Sequence, residues 1–253
     1  MPRHFADLTG AATLPTGHFQ LTHRIVDDLV ANLATGVIHG PAGTGKTYAV
    51  QSVLEAQAAR ADGPQVVTLT FTSRPTMRLV SDQLLTVLTG AETPASRNRF
   101  SITRRLIDLL AHPHRLIVVD EAQRLNGHCI EMLRHLHDEE QTNFALLYVG
   151  GDGCWEVLSR EPMFRSRIFR RLPFQPLPAA AVPDLIRGYH AIYQSAEEEL
   201  LREIDDTYGH GTLRDWAVFT HTAAQLCTEA ERTRIDKDVV ANAFALLGGG
   251  VYA

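Results

Sequence analysis

Eight residues set the terms for the whole chain: Gly40-Pro41-Ala42-Gly43-Thr44-Gly45-Lys46-Thr47, a glycine, four arbitrary residues, then Gly-Lys-Thr. A backbone that curls around an anion must turn its amide groups inward and visit left-handed dihedral angles, and Gly40, Gly43 and Gly45 supply that freedom. A loop of this kind cradles nucleotide phosphates. Pro41, Ala42 and Thr44 complete its backbone, Lys46 reaches the β- and γ-phosphates, and the Thr47 hydroxyl is suited to Mg2+. The flanking residues agree with this reading. Val37-Ile38-His39 reads as the end of a buried strand. From Thr47 onward, Ala49, Val50, Val53, Leu54 and Ala58 recur at helical spacing, so a helix N-terminus points its positive end at the phosphates.

A chain of 253 residues suffices for one sizeable α/β domain with a small appended domain. The net charge of -5 gives no whole-chain sign of nucleic-acid binding, so any basic surface must be local. Three cysteines, Cys129, Cys154 and Cys227, are odd in number and without metal spacing; they read as small core hydrophobes of a reducing compartment. No leader-like N-terminal segment and no apolar run of membrane-spanning length is found, so the expected location is the cytoplasm, away from membranes.

Taken in order, residues 1–17 lack a period and read as an N-terminal arm. Leu21, Ile25, Val26, Leu29, Val30 and Leu33 predict an amphipathic helix from Gln20 to Leu33. Val66 to Phe71 is a β-branched run that predicts a second strand, followed by a helix from Pro75 to Leu88 ending at Gly90. A polar loop leads to a helix from Ser101 to about Ala111. This region has a charge anomaly: Arg74, Arg78, Arg97, Arg99, Arg104 and Arg105 face only Asp82 and Glu92, a local excess of four positive charges. Such a group is a candidate contact for a phosphate backbone; a solvated or ion-paired surface is the alternative.

Leu116-Ile117-Val118-Val119-Asp120-Glu121 predicts a strand buried on both faces, with two carboxylates at the end where ligands bind in parallel sheets. In this reading Asp120 holds Mg2+ through its waters and Glu121 polarises the attacking water. Asn126 caps a helix to about Asp138. His128, His135 and His137 lie in or near it at spacings that do not share a face, so they read as surface histidines and not as a metal pair. Phe144 to Val149 predicts another strand. An arginine-dense stretch with Arg160, Arg165, Arg167, Arg170 and Arg171 follows, then a last strand at Leu172-Pro173-Phe174. From Pro178 the pattern is helical throughout: one helix over Val182 to Ile192, a second around Leu200 to Ile204, a third from Leu213 to about Ala230, and a fourth from Val239 to Leu247.

Strand, loop, helix, acidic strand end, arginine stretch and helical C-terminus, in that order, resemble the AAA+ ATPases. Val119-Asp120-Glu121-Ala122-Gln123, Tyr148-Val149-Gly150 and Met163-Phe164-Arg165-Ser166-Arg167-Ile168 resemble the transposition-regulator ATPases of the MuB, TnsC and TniB kind, and ExeA-type ATPases share the Asp-Glu-Ala-Gln signature. The resemblance implies an α/β parallel-sheet P-loop core over residues 18–177 and an all-helical lid over 178–253. It implies that Gly40 to Thr47 is the Walker A loop and that Asp120 and Glu121 are the Walker B acids. It makes Arg167 the finger that reaches a neighbour's γ-phosphate, with Arg165 as competitor. Gly211-Thr212-Leu213-Arg214 is similar to a sensor 2 motif, which would put Arg214 on the phosphates. Two features depart from the pattern. The usual Asn, Thr or Ser after the Phe144 strand is replaced by Gly150-Gly151-Asp152, which leaves Asp152 as a substitute; and with neither a helix-turn-helix domain nor a long C-terminal tail read in this sequence, DNA contact is expected of the ATPase domain itself.

The function implied is an Mg2+-dependent ATPase that assembles as a homo-oligomeric ring or filament on duplex DNA, without sequence preference, and recruits or activates a transposase. The rivals are an ATP-driven switch acting on protein, ExeA-like and without a DNA role, and a replication-initiator or helicase-loader ATPase.

Overall fold

Five strands pair in parallel: β1 Thr35–His39, β2 Gln65–Thr70, β3 Arg115–Asp120, β4 Phe144–Gly150 and β5 Ile168–Pro173. In the computed structural model, which describes residues 8–90 and 98–248, they form one sheet in the order β2-β3-β4-β1-β5. The central strands β3 and β4 carry the longest apolar runs and are buried on both faces, whereas the outer strands β2 and β5 alternate between buried and exposed positions. The register pairs Leu116 with Ala145 and Val37 with Tyr148. All the C-terminal strand ends therefore lie along one edge of the sheet, the edge where open α/β sheets bind ligands.

Helices connect the strands. α1 Gly17–Asn32 precedes β1, α2 Lys46–Ala58 follows it, and α3 Met77–Thr89 and α4 Arg99–Ala111 separate β2 from β3. α5 Gly127–Asp138 leads to β4, and the short α6 Cys154–Leu158 and α7 Pro162–Arg165 lead to β5. Capping explains several of the boundaries. Thr76 accepts from Leu79 N–H at 3.2 Å to start α3, Gly90 closes it in the left-handed region with φ 69°, and Asn126 accepts from Cys129 N–H at 3.0 Å to start α5. One face of the sheet, with Ile117, Val119, Leu146 and Tyr148, packs against Val80 and Leu84 of α3, Leu106 of α4, and Ile130 and Leu133 of α5.

The chain divides into two compact units. One is Gln20–Gly40 with Ala49–Phe174, which holds the sheet; the other joins the N-terminal segment to Phe19, Pro41–Tyr48 and Gln175 onward. In the second unit α8 Val182–Arg187, α9 Glu198–Ile204, α10 Leu213–Glu229 and α11 Lys237–Leu247 enclose their own core of Ile186, Tyr193, Leu201, Trp216, Phe219, Ala223 and Phe244. The segment before α1 belongs here: Ala12 N–H donates to the Tyr189 carbonyl at 2.7 Å, and Leu14 joins the core.

Three expectations change. The last strand begins at Ile168 and so takes in Arg170 and Arg171, because a strand at the sheet edge can turn charged residues to solvent. The helix expected over Val182 to Ile192 stops at Arg187, where Gly188 ends it; extended His190 then caps a separate short turn over Ala191–Tyr193, its Nδ1 accepting from Ile192 N–H at 3.3 Å. His137 is not a surface histidine. Its ring lies edge-on to Phe144 and bonds the Leu33 carbonyl at 2.9 Å, and burial pushes its pKa below the usual histidine range against the opposing effect of that carbonyl. The three cysteines are buried and form no disulfide, as small core residues.

Candidate functional site

The phosphate-loop residues fold as their composition demands. Gly40, directly after β1, has φ 143°, and a Cβ there would stand 2.2 Å from the Phe174 carbonyl oxygen, so only glycine fits between β1 and the end of β5. Gly45 has φ 90°, and a Cβ there would meet Leu213 Cδ1 at 2.9 Å. Lys46, which opens α2, is 8% exposed and folds its ammonium back over the loop: Nζ donates to the Pro41 carbonyl at 2.5 Å and to Thr44 Oγ1 at 3.5 Å. Thr44 Oγ1 donates to the same carbonyl at 2.9 Å, while Thr47 is exposed. A glycine-lined curl with a lysine inside it and a helix start at its end is the donor set that a polyphosphate needs.

The same unit brings the start of α10 to this loop. Arg214 N–H donates to the Gly43 carbonyl at 3.0 Å, and the Arg214 side chain is exposed. A second residue that the sequence did not single out fixes this geometry. Asp205, 5% exposed, lies at the start of a wide turn over Asp205–Gly209; its Oδ1 accepts from Gly211 N–H and from Trp216 Nε1, both at 2.8 Å. That carboxylate ties the Gly211-Thr212-Leu213-Arg214 stretch to the buried indole of the helical core. Nothing local in the sequence signals it, since it depends on a turn that brings residues 205 and 216 together.

The acidic strand end lies in the sheet unit. Asp120 ends β3, and its Oδ1 accepts from the Glu121 N–H at 2.8 Å. Glu121 takes the left-handed conformation, φ 56° and ψ 37°, which starts a short turn over Ala122–Arg124. Its Oε2 accepts from Gln123 Nε2 at 2.8 Å and from Arg124 Nε at 3.2 Å, and Arg124 also donates to the Thr72 carbonyl just past β2. Burial pushes the Tyr148 phenol up, and the Cys129 thiol likewise, so both stay neutral. Thr47 and Asp120 are hard oxygen donors of the kind Mg2+ accepts.

The arginine stretch separates into engaged and open members. Arg170 pairs with Asp28 at 3.0 Å and lies over the Phe169 ring at 3.8 Å, and Arg171 donates to His39 Nε2 at 3.0 Å and covers the Trp155 ring at 4.1 Å. Both are held within the chain. Arg167 is 3.6 Å from Asp138, with more than half of its side chain exposed, and Arg165 is exposed at the end of α7 with no carboxylate partner among the described residues.

Of the expected basic surface, Arg97 lies outside the described residues. Arg78 is neutralised by Asp82 at 2.7 Å, one turn along α3. Arg74, Arg99, Arg104 and Arg105 are exposed without a carboxylate partner among the described residues, and three of them belong to α4. Arg99 covers the ring of Phe100 at 5.0 Å, and Phe100 itself is 73% exposed. No helix among the described residues is long and apolar enough to cross a membrane.

Comparison with known proteins fits this geometry. Residues 33–158 match the family model described as "AAA domain". A "Potential ATP-binding protein" of Staphylococcus aureus is 43% identical over 53 residues, which make up 21% of this chain and 19% of that protein, so the match spans about a fifth of its length. Cdc6p of Pyrobaculum aerophilum is similar in structure with a TM-score of 0.74 at 17% identity, covering 98% of this chain and 71% of the other. The Aeropyrum pernix ORC1 protein, solved in complex with DNA, is similar with a TM-score of 0.67 at 19% identity over 96% of this chain and 68% of that one. Residues 33–158 thus match an AAA domain, and the chain carries an α/β P-loop fold of the AAA+ type.

Proposed function

We propose that the protein is an Mg2+-dependent AAA+ ATPase that assembles on duplex DNA in its ATP-bound form and there recruits or activates a transposase. Gly40 to Thr47 would hold the phosphates, with Lys46 countering their charge and Asp120 and Thr47 serving Mg2+. Glu121 would act as base toward water, Arg214 would register the phosphates from the start of α10, and Arg167 of one subunit would reach the nucleotide of the next. The Arg214 N–H bond to Gly43 supports a helical unit that reads the state of the loop, because a shift in either backbone moves the other.

The observation that carries the DNA part is the set Arg99, Arg104 and Arg105 on α4, exposed and without carboxylate partners among the described residues. Cations left unpaired on a helix surface suit a phosphate backbone, which needs charge and reach and not a sequence code. The test is duplex binding with ATP at low salt. Reversing Arg99, Arg104 and Arg105 to Glu together is expected to weaken binding by about 100-fold or more. Unchanged affinity would exclude α4 as the contact. ATP turnover measured with and without duplex decides the larger question: stimulation supports the DNA-bound assembly, and indifference favours the protein-directed switch.

The similarity to Cdc6p and to an ORC1 protein in complex with DNA favours a second reading, an initiator-type ATPase. It also predicts duplex binding, and it differs in the client delivered. Co-purification of a transposase with the ATP-bound assembly would favour the first reading, and that of a replicative helicase the second.

A further inference from the structure

We infer that Gln123 is the positioning residue for Glu121, standing in for the polar side chain that the end of β4 lacks. This rests on the reading of Glu121 as the base in ATP hydrolysis. The Gln123 carboxamide spans two elements: Nε2 donates to Glu121 Oε2 at 2.8 Å, and Oε1 accepts from Gly151 N–H at 3.0 Å. With a carboxylate at one end and a backbone N–H at the other, only one orientation of the amide satisfies both. The end of β4 is shaped around it. A Cβ at Gly150 would stand 2.6 Å from Gln123 Oε1 and 2.5 Å from Cys154 Sγ, and one at Gly151 would meet Gln123 Nε2 at 3.5 Å. The space of a strand-end side chain is thus filled from residue 123, and Asp152, the apparent substitute in sequence, is exposed.

The consequence for chemistry follows from where the bonds fall. Gln123 and Arg124 both bond Glu121 Oε2, and Oε1 has no hydrogen bond among the described residues. The carboxylate is therefore oriented with Oε1 as the proton acceptor. In the step, the water oxygen bonds to the γ-phosphorus while the bond from that phosphorus to the bridging oxygen breaks. The electron pair leaves with ADP, and the proton of the water passes to Glu121 Oε1. A carboxylate free to rotate would spend much of its time out of line for that transfer.

Two Gln123 variants and a rescue test this. Gln123→Glu keeps the shape and the acceptor for Gly151 N–H but replaces the donor to Glu121 with a like charge. In steady-state turnover of ATP with magnesium chloride, kcat is expected to fall about 10- to 100-fold for Gln123→Glu and Gln123→Ala. KM should stay within about twofold, the mark of an interaction made in the reacting state. Gly151 has no positive φ that would restrict it to glycine, so Gly151→Asn in the Gln123→Ala background returns a carboxamide to the vacated space and should regain about tenfold of the lost rate. Wild-type kcat in both single variants, a KM effect with kcat unchanged, or no regain in the double variant would overturn the proposal. Glu121→Gln separates the levels. If it turns over normally, the reading of Glu121 fails and this inference falls with it; if it is inactive while Gln123→Glu is normal, only Gln123 is rejected.

Discussion

Lys46→Ala is expected to bind ATP about 1,000-fold more weakly than the natural chain, because an ammonium about 4 Å from a phosphate charge would be worth about 4 kcal/mol at an effective dielectric of about 20. The substitution touches binding and folding alike. Lys46 donates to Pro41 and Thr44 of its own loop, and losing one such bond costs about 1 kcal/mol of stability. Calorimetric titration with ATP, alongside thermal melting of the ligand-free protein, separates the two effects. Affinity within about tenfold of the natural chain would remove Lys46 from the phosphates.

Arg167→Ala should leave nucleotide binding by the single subunit intact and lower assembly-dependent turnover by about 1,000-fold, the scale of an arginine supplied by a neighbour. The ion pair with Asp138 does not argue against this. At 3.6 Å, with 55% of the arginine side chain exposed, it is the kind of contact worth about 0–1 kcal/mol, far less than the barrier reduction a finger provides. Release from Asp138 is therefore a small cost of assembly. Turnover measured against protein concentration checks the prediction, since the loss must appear only where the natural chain gains rate by associating. If Arg165→Ala reproduces the loss and Arg167→Ala does not, the finger is Arg165. Arg170 and Arg171 are poor candidates, each held by a carboxylate or histidine and an aromatic ring of the same chain.

The fold and the loop could be read from the residues because both rest on short-range rules. Continuous apolar runs mark β3 and β4, and the glycine spacing of residues 40 to 47 is dictated by backbone geometry within the loop itself. What escaped depends on pairs distant in the chain or on an edge environment. Gln123 acquires its place from Gly151, 28 positions later, and Asp205 from an indole reached through an irregular turn. β5 was shortened because four residues of the strand, Ile168 to Arg171, mix charge with apolar residues, a pattern allowed at a sheet edge and misleading elsewhere. The charge balance was legible as well: Asp82, already set against the six arginines, sits one helical turn from Arg78 and cancels it.

That cancellation has a consequence in solution. Each arginine that docks on a DNA phosphate expels condensed counterions, so binding should fall with salt at a log-log slope of about -0.9 for each contact. Arg99, Arg104 and Arg105 alone would give each subunit a slope of about -2.7, and a value nearer -3.6 would mean that one further cation had joined them. Arg78 could be that cation only by leaving Asp82. The salt dependence of a single subunit's footprint would therefore count the cations that meet the duplex, and a slope beyond what Arg74 and the three arginines of α4 can supply would require an ion pair to open.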